Sequence, residues 1–305
     1  MSPRIPGFDY QRVTVADGVS LTAAVAGSGS PIVLLHGFPQ THLMWRHVAA
    51  DLAADHTVIC PDLRGYGASD KPVDTDGETY SKRTMGNDIV ALAQAFGHER
   101  FALAGHDRGA LVAFRAALDH PEHITHMASL DGMSTADTWE VLHGVLGAVG
   151  FHLYLMAQPV GLPEQLIGAS PDAFFGHFLD IWAKNPDSIP ADVRAAYLAA
   201  CGAAVPSIVA DFRASATIDI EHDLVDREAG NALRMPVAVV QQDWGSALGF
   251  EPETLWRAWA PDLHHETVTC GHFMAEEAPA DIVRALRGLL TREVATRGAR
   301  GGVRG

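Results

Sequence analysis

The chain has 305 residues, 48% of them hydrophobic and 19% charged, which allows a large packed core and excludes a globally disordered chain. A formal net charge of −15 argues against a nucleic-acid partner, which would want a basic face. The N-terminus has no apolar stretch of signal-peptide length, no run reaches the ~18 apolar residues of a membrane span, and Cys60, Cys201 and Cys270 lack metal-ligand spacing. The expectation is a soluble, cytoplasmic protein with reduced thiols, no metal, no cofactor and no membrane partner.

Residues 10–27 alternate polar and apolar around Asp17-Gly18, which predicts a β-hairpin. PIVLLHG then reads as a buried strand, residues 42–54 as a helix, and 56–62 as a second buried strand. A helix over 80–97, a strand over 101–105, a helix beyond it and a strand over 123–131 follow. From about 134 to 227 the sequence is helix-like and punctuated by Pro and Gly, with no clear buried strand. Alternation resumes with a strand at 236–242, a helix near 252–259, a strand at 264–270 and a helix from about 277 to 291. Strands alternating with helices imply a mostly parallel α/β sheet with right-handed crossovers. The expected organisation is a core of residues 1–133 and 228–293, a helical lid of 134–227 and a disordered tail of 294–305.

The strand FALAG runs into His106-Asp107-Arg108-Gly109 and then a helix. Gly105 and Gly109 flank Asp107 by two residues on each side, which permits the sharp strand-to-helix turn of a nucleophile elbow. A side chain at either place would collide with the neighbouring strand or helix. The slot usually filled by serine holds Asp107, a carboxylate already ionised at neutral pH. Such a group attacks amides poorly but can displace a leaving group from an sp³ carbon, forming an enzyme ester that water must hydrolyse. His272, just after the last predicted strand, is the expected base for that water. A carboxylate must orient it: Asp131, at the end of 123–131, or Asp243, after the next strand. The N–H groups of Phe38 and Arg108 are the expected oxyanion donors.

HGFPQTHLMW, DLRGYGASDKP, FALAGHDRG and CGHFMAEEAP together resemble the fluoroacetate dehalogenase and epoxide hydrolase branch of the α/β-hydrolase superfamily, from about residue 10 to 290. The resemblance implies the α/β-hydrolase fold with a helical lid, a small-molecule substrate and a homodimer. It favours Asp131 over Asp243, because in the dehalogenase relatives the orienting acid follows the nucleophile by the same 24 residues. It also implies substrate and leaving-group positions at Arg108, Leu111, His152, Leu153 and Phe212, with Tyr154 as a further lid candidate. At Leu111 the dehalogenases carry a second carboxylate-binding arginine, at Leu153 a halide-binding tryptophan and at Phe212 a tyrosine. Fluoride needs several converging donors to leave, whereas a strained epoxide oxygen leaves more easily. The reading that follows is an epoxide hydrolase acting on a fairly apolar substrate, with haloacetate dehalogenation as the alternative. A hydrolase-like fold that binds a small molecule with little or no turnover is a second alternative.

Overall fold

A computed structural model describes residues 3–242 and 249–294. Asp243 and almost all of the tail beyond residue 293 lie outside the described residues. The sheet has eight strands in the order β1-β2-β4-β3-β5-β6-β7-β8. The hairpin is formed by β1 (Asp9–Ala16) and β2 (Val19–Ala26), paired antiparallel. From β3 (Ser30–Leu35), β4 (His56–Pro61) and β5 (Phe101–His106) to β6 (Ile124–Leu130), β7 (Val237–Gln241) and β8 (Leu263–Thr267) the pairing is parallel.

The apolar runs behave as doubly covered strands should. Val33, Leu35, Leu103, Val237 and Val239 point to one face, where they pack with residues of α2 (Lys82–Ala95), α3 (Arg108–Asp119) and a later helix, Pro252–Trp259. Ile32, Leu34, Ala102, Ala104, Ala238 and Val240 point to the other, against α1 (Arg46–Leu52) and the last helix, Pro279–Leu290. The helix expected over 42–54 opens as a 3-10 turn, His42–Trp45, before α1 begins. Helix α2 starts where the Ser81 hydroxyl accepts from the Thr84 N–H, a side-chain cap that fixes its first turn. The helix expected from 277 divides into Met274–Glu277 and Pro279–Leu290, with Pro279 at the start of the second.

Between β6 and β7 the described chain is helical: α4 (Thr135–Val141), α5 (Phe151–Met156), α6 (Leu162–Ala169), α7 (Pro171–Ile181), α8 (Ala191–Gly202), α9 (Val205–Ser215) and α10 (Ile218–Ala229). Phe38, in the loop at the carboxyl end of β3, packs on Phe175 and Phe178 of α7 and on Phe212 of α9. The insertion therefore covers the strand ends at which open α/β sheets bind ligands.

Candidate active site

Asp107 sits at the tip of the turn between β5 and α3 with φ of 49°, one of two non-glycine residues at positive φ among the described residues; the other is Asp131, at 48°. Backbone strain of this kind persists only where the surroundings enforce it, and it gathers at functional sites. The enforcing contacts are visible. A Cβ on Gly105 would lie 2.1 Å from the Gly109 carbonyl oxygen, and one on Gly109 would lie 2.5 Å from the carbonyl oxygens of Leu35 and His36. Gly37 is as tight, because its Cβ would fall 2.5 Å from the Asp107 Cβ. Gly105→Ala is expected to cost at least ~3 kcal/mol and to abolish activity, because backbone must move. Thermal melting against Gly288→Ala, where a Cβ meets nothing within 4 Å, checks this. The control should melt at or slightly above wild type.

The structure brings Asp107, His272 and Asp131 together. The His272 Nδ1–H donates to Asp131 Oδ2 at 2.5 Å, and Nε2 faces Asp107 Oδ2 at 3.9 Å. That second distance is beyond hydrogen-bond range, and Nε2 is buried without a hydrogen-bond partner. Burial opposes the imidazolium, but the Asp131 hydrogen bond and the charges of Asp131, Asp107 and Glu277 outweigh it and raise the His272 pKa. Burial raises that of Asp131 against the pull of His272. The loop carrying His272 is held from both sides. Its N–H donates to the Trp182 carbonyl, and its carbonyl accepts from His106 Nε2 at 2.8 Å. Glu277 Oε2 accepts from the N–H groups of Gly271, Lys184 and Asn185.

Of the two expected oxyanion donors, one is aimed. The Phe38 N–H donates to Asp107 Oδ1 at 2.6 Å, which leaves Oδ2 as the oxygen facing His272. The Arg108 N–H makes no such bond to Asp107. Arg108 is 3% exposed, and its side chain is committed to the lid. Nε and Nη2 bond both carboxylate oxygens of Asp211, and Nη2 also bonds Ser215 Oγ at 2.6 Å. Its guanidinium lies 4.1 Å over the Phe212 ring. Nη1 is the nitrogen without a protein acceptor among the described residues, and Arg108 still lines the pocket.

That pocket has a volume of about 150 Å³ and opens onto Asp107. Leu111, Leu142, Leu153, Trp182 and Phe212 are among its apolar lining, and Thr138, His152 and Gln241 are uncharged polar residues that also line it. His152 stacks on Phe38 with centroids 5.8 Å apart and meets Trp182 edge-on at 5.1 Å. Burial, with Arg108 and His272 nearby, pushes its pKa down to about 3, so the ring is neutral in use.

Tyr154 corrects an expectation. It is 38% exposed, its hydroxyl donates to the Leu142 carbonyl at 2.7 Å, and it does not line the pocket. On the six-residue α5 it stands two positions from His152, and residues i and i+2 do not share a helix face. Tyr197, another lid tyrosine, is buried and donates to Glu276. Two polar residues at the site escape a reading by motif. Asp211 stands next to Phe212 in the lid, and Gln242 follows β7.

The family profile of the α/β-hydrolase fold matches residues 30–149. A fluoroacetate dehalogenase from Burkholderia sp is 37% identical over 290 residues, 93% of this chain and 94% of the relative. A soluble epoxide hydrolase from Corynebacterium sp. (strain C12) is 29% identical over 280 residues, 88% and 92% of the two chains. A solved chain assigned to the α/β hydrolases, from Nostoc sp PCC 7120, superposes with a TM-score of 0.90 at 36% identity, covering 95% of this chain and all of the other. One assigned as an epoxide hydrolase, from Pseudomonas aeruginosa, gives 0.89 at 37% identity, covering 95% and 97%.

Proposed function

This chain belongs to the α/β-hydrolase family, in the branch shared by fluoroacetate dehalogenases and epoxide hydrolases, and on that premise we propose that it opens a neutral, largely apolar epoxide through an ester with Asp107. Asp107 Oδ2 attacks a ring carbon while the C–O bond breaks. His152, neutral, offers the ring oxygen one N–H hydrogen bond rather than a proton. In the second half His272 Nε2 takes a proton from a water that attacks the Asp107 carboxyl carbon. Charge then builds on Oδ1, where the Phe38 N–H meets it. Collapse expels the ester oxygen, which takes the His272 proton, and leaves the water's second hydrogen on the Asp107 carboxyl. That carboxyl ionises, its proton is matched by the one the opened-ring oxygen takes from solvent, and a neutral diol leaves the restored Asp107.

One observation carries the choice of an apolar substrate. Three of the five positions at which the resemblance implies polar or halide-binding side chains in the dehalogenases are Leu111, Leu153 and Phe212 here, and all three line the pocket over Asp107. Arg108 adds to it, because a carboxylate clamp uses two parallel N–H bonds and this fork is spent on Asp211. The second reading, a haloacetate dehalogenase, is favoured by the 37% identity to the Burkholderia relative across nearly the whole chain.

The test is a pair of substrate panels, epoxides and haloacetates, with Asp107→Asn as the blank. Diol in the mass spectrum without halide at an ion electrode is the expected result. Halide from haloacetates would replace the first reading by the second, and neither product would reject both. Leu111→Arg should then tighten binding of a haloacetate by about 10- to 100-fold, the worth of one charged hydrogen bond.

A further inference from the structure

Asp131 is fixed by more than His272. Its N–H donates to the Val240 carbonyl at 2.9 Å, so strand β7 sets where the residue stands. One residue beyond β7, Gln242 donates its amide Nε2–H to Asp131 Oδ2 at 2.8 Å. The same oxygen accepts from His272 Nδ1. Among the described residues these are the two side chains bonded to the Asp131 carboxylate. We propose that Gln242 is a positioning residue, which pins the Asp131 carboxylate and thereby sets how tightly His272 holds a proton.

The chemistry suits an amide. A cation there would neutralise Asp131 and remove the charge that stabilises the imidazolium. An apolar side chain would leave a buried carboxylate short of one donor. An amide supplies a donor and adds no charge, so the negative charge stays available to His272. The other titratable groups facing His272 are Asp107, Glu277, His106 and His152, and those facing Asp131 are Asp107 and Cys270. Gln242 bonds to none of them, so its effect runs through Asp131.

The inference rests on His272 being the base of the hydrolytic step, and the experiment separates the two claims. The probe is the ¹⁵N resonance of the His272 ring in full-length wild type, Gln242→Met and Gln242→Asn. The methionine matches glutamine in shape without a donor, and the asparagine keeps the amide but falls short of Asp131. Without the donor, the Asp131 charge falls more fully on His272. The ring should then titrate about half to one pH unit higher in the methionine variant, the size of one hydrogen bond, with asparagine between. The acid limb of kcat should rise by the same amount, with KM little changed. An unchanged His272 titration in both variants overturns the proposal. A shifted titration with a kcat limb that ignores it supports the Gln242–Asp131–His272 link and rejects His272 as the base.

Discussion

His272→Gln is expected to stop the enzyme halfway, with Asp107 permanently esterified. The nucleophilic half does not need His272: Asp107 Oδ2 is free to attack while Oδ1 rests on the Phe38 N–H. The hydrolytic half needs a base at the 3.9 Å gap between His272 Nε2 and Oδ2, and glutamine fills the space without accepting the water's proton. Incubated with substrate, the intact variant should gain mass stoichiometrically. An epoxide adds its whole mass, because ring opening loses no atom, whereas a haloacetate adds its mass less that of the hydrogen halide. The same spectrum therefore tests the mechanism and distinguishes the two readings. Turnover should fall by on the order of 10⁴-fold or more, as when a member of a catalytic unit is removed, and Asp107→Asn should show neither turnover nor adduct. In wild type, the acid limb of kcat should report His272 with Asp107 esterified, when Asp131 still raises the ring but the Asp107 charge no longer adds to it, since only the neutral ring accepts a proton. A fully active His272→Gln, or an adduct on a residue other than Asp107, would remove the ester mechanism.

The parts of the site that were legible are those fixed by local chain geometry. Asp107 is announced by the glycines two residues on either side, because the turn they permit is a backbone matter of five residues. His272 and Asp131 follow from their places after strands, and the strands follow from unbroken apolar runs. Arg108 shows where the sequence stops. Its N–H belongs to the local turn, but the destination of its side chain depends on Asp211, 103 residues away on a lid helix. Lid packing is decided by helix faces, and the short helices here carry few residues from which to read a face. Tyr154 was a candidate only as a lid tyrosine, and its place on a short helix turns its hydroxyl to the Leu142 carbonyl instead. Gln242 carries no signal at all in one sequence, since an amide after a strand has no chemistry until Asp131 is placed beside it.

Asp211→Asn should be the most destabilising single charge removal in the lid. Its carboxylate is fully buried and accepts from Arg108, from Lys82 and from the Tyr66 hydroxyl. Burial disfavours the charged form, yet the Arg108 and Lys82 charges overcome it and hold the carboxyl well below the usual carboxylate range. With Asp219, which also pairs with Lys82, the buried group balances two cations against two anions. Asparagine removes one anion and strands a positive charge beside the nucleophile turn. Breaking a buried pair in this way costs about 3–5 kcal/mol, a fall in Tm on the order of 10 °C. Lys82→Met combined with Asp211→Asn restores the balance and should recover most of the loss, because well-packed apolar replacements of buried pairs are often neutral. The pH dependence has a definite sign. A depressed carboxyl pKa stabilises the fold above the unfolded value, near 3.9, and that contribution drains away as pH falls towards the folded value. The gap between wild type and Asp211→Asn should therefore be constant near neutrality and narrow below about pH 4. A variant melting within 2 °C of wild type at pH 7, or a double variant no more stable than the single one, would mean that charge balance is not what fastens α9 to the nucleophile turn.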